Sequence, residues 1–114
     1  TDGAIAAFGY DHRRLRPNIV VGGVEGLTET EWPGSCLRIG KVLIGVQDLR
    51  LRCIMTSYDP DTLVQDKEIT RGIYRRFDGK LALNCFVIEG GEIAVGDVVK
   101  LIRGRGCGSP SNEN

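Results

Sequence analysis

Short apolar runs of four to nine residues, separated by glycine-bearing turns, constrain this chain more than any other feature. They are Cys36–Ile39, Val42–Val46, Leu81–Glu89, Glu92–Val95 and Val98–Ile102, with Gly40-Lys41, Gly90-Gly91 and Gly96-Asp97 between neighbours. Runs of this length and spacing predict antiparallel strands of a barrel or sandwich. Sixteen glycines and 6% aromatic residues fit a mainly β chain with many tight turns. A further short strand is expected at Ile19–Val21, because Pro17 favours an extended entry and Gly22-Gly23 ends the run. Thr1–Tyr10 reads as a loop or frayed end. Gly26–Gly34 reads as a loop in which Trp32 covers the core.

One segment breaks the period of two. Between Asp66 and Phe77, Ile69, Ile73 and Phe77 fall at i, i+4 and i+8, which is the apolar stripe of one amphipathic helix. Asp66 suits its N-cap, and Arg75 and Arg76 suit its C-terminal turn. This is the one principal helix expected. The chain of 114 residues should form a single domain over residues 1–102. A disordered polar and glycine-rich tail is expected from Arg103 on, with Cys107 exposed in it.

Charge and composition remove several classes of function. Fifteen basic and fifteen acidic residues cancel, so bulk charge gives no footprint for nucleic acid. No apolar run approaches the roughly 20 residues of a membrane-spanning helix. His12 is the only histidine and none of Cys36, Cys53, Cys85 and Cys107 forms a CxxC pair, so a structural zinc site is not expected. Sparse cysteines, two of them in strands, favour reduced thiols and a cytoplasmic setting.

Two stretches carry candidate chemistry. Arg50–Tyr58 reads as a strand holding Cys53 that runs into the turn Asp59-Pro60-Asp61. In a regular strand Cys53 would share a face with Leu51 and Met55, away from Arg50 and Arg52, and would be a core cysteine. A strand end or bulge at Cys53, with Arg16 arriving from another strand, is the geometry expected, because it opens the thiol to cationic groups as a functional thiolate requires. Asp11–Asn18 places three arginines, Arg13, Arg14 and Arg16, within four positions; it is either a solvated turn or an anion clamp built from guanidinium forks.

These pieces occur in a recognisable order: Arg14-Leu15-Arg16-Pro17-Asn18-Ile19-Val20, Glu31-Trp32, Leu37-Arg38-Ile39-Gly40, Arg52-Cys53 with Thr56 and Asp59-Pro60-Asp61-Thr62, then Gly91-Glu92-Ile93-Ala94-Val95-Gly96-Asp97. From about Arg14 to Leu101 the chain resembles the MOSC domain, found at the C-terminus of molybdenum cofactor sulfurases, and is similar to amidoxime-reducing proteins. The resemblance implies a β-barrel with short loops and a site for the molybdenum cofactor or for sulfur destined for it. Cys53 matches the family's functional cysteine and would be the catalytic, metal-ligating thiolate. Arg14, Arg16, Asn18, Arg52 and Thr56 match the surrounding motif and would contact the cofactor. Two residues depart from the pattern: Leu63 stands where a glycine follows Asp-x-Thr, and Leu51 stands where amidoxime reducers carry a polar side chain. About a dozen residues precede the Arg-Pro-Asn segment, which leads to the expectation of a truncated or compact member.

The resemblance leaves three functions open. The chain would bind the molybdenum cofactor as part of a reductase of N-hydroxylated compounds, with an electron-transfer protein as partner. Alternatively it would carry a persulfide on Cys53 from a sulfur-donating domain, or be a β-domain that has lost cofactor binding. Pyridoxal phosphate is not expected here, because the family holds it in a fused domain.

Overall fold

The structure, a computed structural model, describes residues 1–103. Residues 104–114, the greater part of the expected tail with Cys107, lie outside the described residues. Two helices, α1 (Asp2–Phe8) and α2 (Lys67–Phe77), accompany four strands, β1 (Ser35–Ile39), β2 (Val42–Leu51), β3 (Lys80–Glu89) and β4 (Val99–Arg103). The fold is mainly β. The strands form one sheet in the order β3-β2-β1-β4, with β3 and β4 at its edges, so the described residues show an open sheet and not a closed barrel. The chain divides into two compact units, Thr1–Glu29 with Arg50–Ala82, and Thr30–Leu49 with the chain from Leu83 on.

The second unit is organised by β1, which pairs antiparallel with β2 from Ile39↔Val42 to Cys36↔Gly45 and with β4 from Ile39↔Val99 to Ser35↔Arg103. Gly40, at φ 60, supplies the left-handed residue that the two-residue turn to β2 needs. Cys36, Leu37, Ile39, Val42, Ile44 and Val46 are buried together with Trp32. Cys36 is disulfide-bonded, contrary to the expectation of four reduced thiols. Residues 92–95 do not form the expected strand. Ala94 and Asp97 close a turn instead, the Ala94 amide donating to Asp97 Oδ2 at 2.8 Å and the Asp97 amide to Ala94 O at 3.1 Å.

The first unit contains α1, where a loop was expected. Thr1 caps it, accepting from the Ala4 amide at 3.1 Å, and Gly9 ends it in the left-handed conformation. The signal was present but short: Ala4 and Phe8, spaced i, i+4, are the buried residues of a seven-residue helix. Gly3 is obligatory there, since a Cβ would lie 2.2 Å from Gly26 O and 2.4 Å from Val24 O. The Asp2 carboxylate accepts from the Val24 and Gly23 amides at 2.9 and 2.7 Å, and these bonds hold its pKa below the usual range. Val21 O accepts from the Asp2 amide at 2.9 Å, so Ile19–Val21 lies against α1 as irregular chain and not as a strand.

Helix α2 lies where the stripe predicts. Asp66 caps it by accepting from the Glu68 amide at 3.1 Å, and Ile69 and Ile73 enter a core with Ala4, Phe8, Leu15 and Leu81. Full burial of each isoleucine contributes about 2–3 kcal/mol. Arg76 donates to Ala7 O at 2.8 Å and Phe8 O at 2.9 Å, satisfying carbonyls at the end of α1.

Candidate functional site

Strand β2 stops at Leu51, and Cys53 begins a 3-10 turn, Ile54–Ser57. The strand end expected at Cys53 is present, the 3-10 turn takes the place of a strand on to Tyr58, and Cys53 is exposed. Local hydrogen bonds explain the break. Cys53 O accepts from both the Thr56 amide at 3.2 Å and Thr56 Oγ1 at 3.0 Å, while Ser57 Oγ donates to Ile54 O. Short hydroxyl side chains thus offer the backbone a local alternative to the ladder.

Three anchors fix this turn. Thr56 Oγ1 lies 2.8 Å from Thr70 Oγ1 on α2. Arg14 donates to Thr56 O at 3.3 Å and lies 3.6 Å from the Asp59 carboxylate. Asp59 in turn accepts from the Thr62 and Asp61 amides at 2.9 and 2.8 Å, closing the Asp-Pro turn and holding its own pKa low. Arg13 makes a two-pronged pair with Asp61 at 3.0 and 2.8 Å and also bonds Asp11, whose pKa falls to about 2 mainly through that hydrogen bond. Leu63, the residue standing in for glycine, is 71% exposed and sits at φ 62. The backbone keeps the left-handed geometry that suits glycine, although the side chain has changed.

Arg52 is the most informative neighbour of Cys53. Only 8% exposed, it is held at every backbone group and at Nε: its amide donates to Gly79 O at 2.8 Å, its carbonyl accepts from Tyr74 Oη at 2.9 Å, and Nε donates to Leu81 O at 2.9 Å. Ala82 follows at φ 71, an irregularity within β3 directly beside the Leu81 carbonyl that Arg52 uses. Among the described residues no carboxylate forms an ion pair with Arg52. Burial lowers its pKa, helped by the charge of Arg50 and opposed by Cys53 and Glu29. A buried guanidinium in this condition is stabilised by any anion that reaches it.

The structure thus ties Arg14, Arg52, Cys53 and Thr56 into one corner, with Arg14 and Thr56 consumed as supports. Arg16 and Asn18 are exposed, and no side-chain hydrogen bond joins either to Cys53 or its neighbours. Arg16 adopts φ 51, ψ 52 immediately before Pro17. That conformation is doubly unfavourable for a non-glycine residue preceding proline, and strain of this kind gathers at functional positions. Thr70, Tyr74 and Arg13 are supports that the motif-based reading missed; the i, i+4 spacing of Thr70 and Tyr74 on α2 was the available signal. Among the described residues, no cluster of three or more His, Cys, Asp or Glu could hold a metal, and no helix is long and apolar enough to cross a membrane.

The MOSC domain family matches residues 5–100. The chain is 35% identical over 106 residues to mitochondrial amidoxime-reducing component 1 of Mus musculus, and 36% identical over 106 residues to that of Homo sapiens. Each alignment covers 77% of this chain and 29% of the relative, so the chain spans under a third of the length of the curated relatives it matches. With a match over most of its length, the chain belongs to the MOSC domain family.

Proposed function

We propose that this chain is a molybdenum-cofactor-binding domain, in which Cys53 offers the protein thiolate and Arg52 and Arg16 receive the anionic part of the cofactor. The observation that carries the reading is the pairing of an exposed thiol at a strand end with a nearly buried guanidinium that lacks a carboxylate partner among the described residues. The donor set fits such a group. One soft sulfur cannot hold a bare ion, but it suits a metal that arrives with sulfur ligands of its own, and arginine forks suit an anionic pterin. When bound, the cofactor would supply redox chemistry, and reduction of N-hydroxylated compounds with electrons from a partner protein is the activity proposed for the full-length protein.

The chain's own residues then have separate tasks. Cys53 ligates from the start of the 3-10 turn, and Arg52 compensates charge from beneath. Thr56, Thr70 and Tyr74 hold the backbone on both sides of the sulfur. Arg14 positions the turn through Thr56 O and Asp59, while Arg16 and Asn18 would make the outer contacts.

The test is metal and pterin content of protein from a host that makes the cofactor, with intact mass alongside. Wild type and Cys85→Ser should retain molybdenum and pterin, Cys53→Ser should lose them, and Arg16→Gln should retain about tenfold less. Equal molybdenum in wild type and Cys53→Ser overturns the reading. A 32 Da adduct on Cys53 without molybdenum replaces it with the sulfur-carrier function.

A further inference from the structure

Glu29 is only 1% exposed, and half of its carboxylate is unsatisfied. It is the buried residue of the 3-10 turn Thr28–Glu31, whose other members are exposed. Oε1 accepts from the Thr1 nitrogen at 3.0 Å and from Thr1 Oγ1 at 2.7 Å. Oε2 forms no hydrogen bond to any described residue. A carboxylate oxygen buried in this way is costly, and the fold keeps it only where nearby positive charge offsets the lost hydration.

Glu29 and Arg52 are lodged against the same small core. Thr1, which Glu29 holds, caps α1 by accepting from the Ala4 amide, and Ala4 packs in one cluster with Leu81. The Leu81 carbonyl takes Arg52 Nε, and Leu27, two residues before Glu29, packs on that cluster as well. The two charges act on each other: Glu29 favours the charged form of Arg52, against the burial that disfavours it. Yet no ion pair joins them, and no hydrogen bond of the Arg52 Nη atoms reaches another described residue. Direct pairing would have consumed the guanidinium, as Asp61 and Asp59 consume Arg13 and Arg14. A carboxylate at one remove supports the buried cation and leaves its fork available to an anion.

We propose that Glu29 is a positioning residue for Arg52: its buried carboxylate offsets the burial cost of the empty guanidinium, and by like-charge repulsion it limits how tightly an anion is held there. The proposal rests on the reading above only for Arg52 as the receiver of an anion. Its test uses sulfate, a dianion throughout the neutral range, added to the 15N-labelled full chain at constant ionic strength. The Arg52 Nε–H and the Cys53 amide are followed by NMR, and denaturant unfolding is measured without sulfate. Saturable shifts are expected at both groups in wild type. Glu29→Gln should bind sulfate about tenfold more tightly while being less stable in its absence. A role in folding alone predicts weaker or unchanged binding, so the sign separates the two. Glu29→Met, of similar volume and with no polar group to satisfy, is the second variant, and the same tighter binding is expected. Glu29→Asp keeps the charge and should bind within about twofold of wild type. Glu25→Gln, an exposed change of equal net charge, should match wild type. Equal or weaker binding in the neutral Glu29 variants overturns the proposal, as does tighter binding shared by Glu25→Gln. Absence of any saturable shift at Arg52 and Cys53 overturns it by removing the anion site. Molybdenum retention by wild type decides the cofactor reading independently of these outcomes.

Discussion

Cys53 and Cys85 are both exposed, yet they stand on different kinds of backbone. Cys85 lies inside β3, where strand geometry sets its direction and Asn84 next to it donates to Asp48 at 2.9 Å. Cys53 lies at a break, between the last residues of β2 and a 3-10 turn. Hydroxyls, Tyr74 and two arginines hold that break in place. Exposure alone therefore does not distinguish the two thiols. The difference lies in what surrounds them: a ladder repeats one pattern, whereas an irregular corner can bring a buried guanidinium and a hydrogen-bonded turn to one cysteine.

The largest expected contrast between the two regions is chemical. Cys53→Ser should abolish molybdenum or persulfide retention and Cys85→Ser should leave it intact, read by metal analysis and intact mass; similar losses in both would erase the distinction.

Next in size is a contrast in tolerance to a single methyl group. Gly3→Ala sets a Cβ against two backbone carbonyl oxygens, which cannot move aside, and should cost about 3 kcal/mol or more in denaturant unfolding. Gly45→Ala in β2 meets the edge of the Phe86 ring, 2.3 Å from its Cζ. The ring can turn, so about 1–2 kcal/mol is expected. A reversed order would show that the loops around α1 yield more easily than the sheet.

Leu63→Gly sharpens the picture of the corner. Relief of a left-handed leucine, set against the greater freedom of glycine in the unfolded chain, should stabilise by about 0.5–1 kcal/mol in the same measurement. A destabilised variant would mean that the leucine side chain contributes packing there that its exposure conceals.

The smallest effect is electrostatic. Asp11 titrates at about 2 when folded, below its ordinary 3.8, because Arg13 bonds the ionised form. Its contribution is therefore present above pH 3.8 and disappears as the pH falls through about 2. The pair is exposed, so the effect should be slight and weaken with salt. Arg13→Gln should raise the Asp11 pKa, followed by NMR titration, and loosen the Asp-Pro turn without altering β1 and its neighbours.

Much of this protein was settled by its sequence. Short apolar runs between glycine-bearing turns located β1, β3 and β4 to within a residue or two and the first half of β2, which continues past its apolar run to Leu51, because apolar residues must be buried while turns need glycine. Periodicity of 3.6 with an Asp66 cap located α2 for the parallel reason. The order of motifs around Arg16, Cys53 and Asp59 identified the family, since short segments held together by backbone geometry leave a sequence trace. Tertiary structure alone decided the rest. Helix α1 is too short for periodicity to reveal, and it depends on Gly3 approaching other backbone and on Arg76 closing its end. Ile19–Val21 and residues 92–95 have strand composition, but nearby donors and acceptors make turns and irregular contacts there. Arg13, Arg14, Arg16 and Arg52 look equivalent as letters. Only the folded chain shows that Arg13 and Arg14 are already paired with aspartates, that Arg16 is left exposed and strained, and that Arg52 is buried with no ion-paired carboxylate among the described residues. Pairing and burial depend on residues distant in sequence, and no local pattern encodes them.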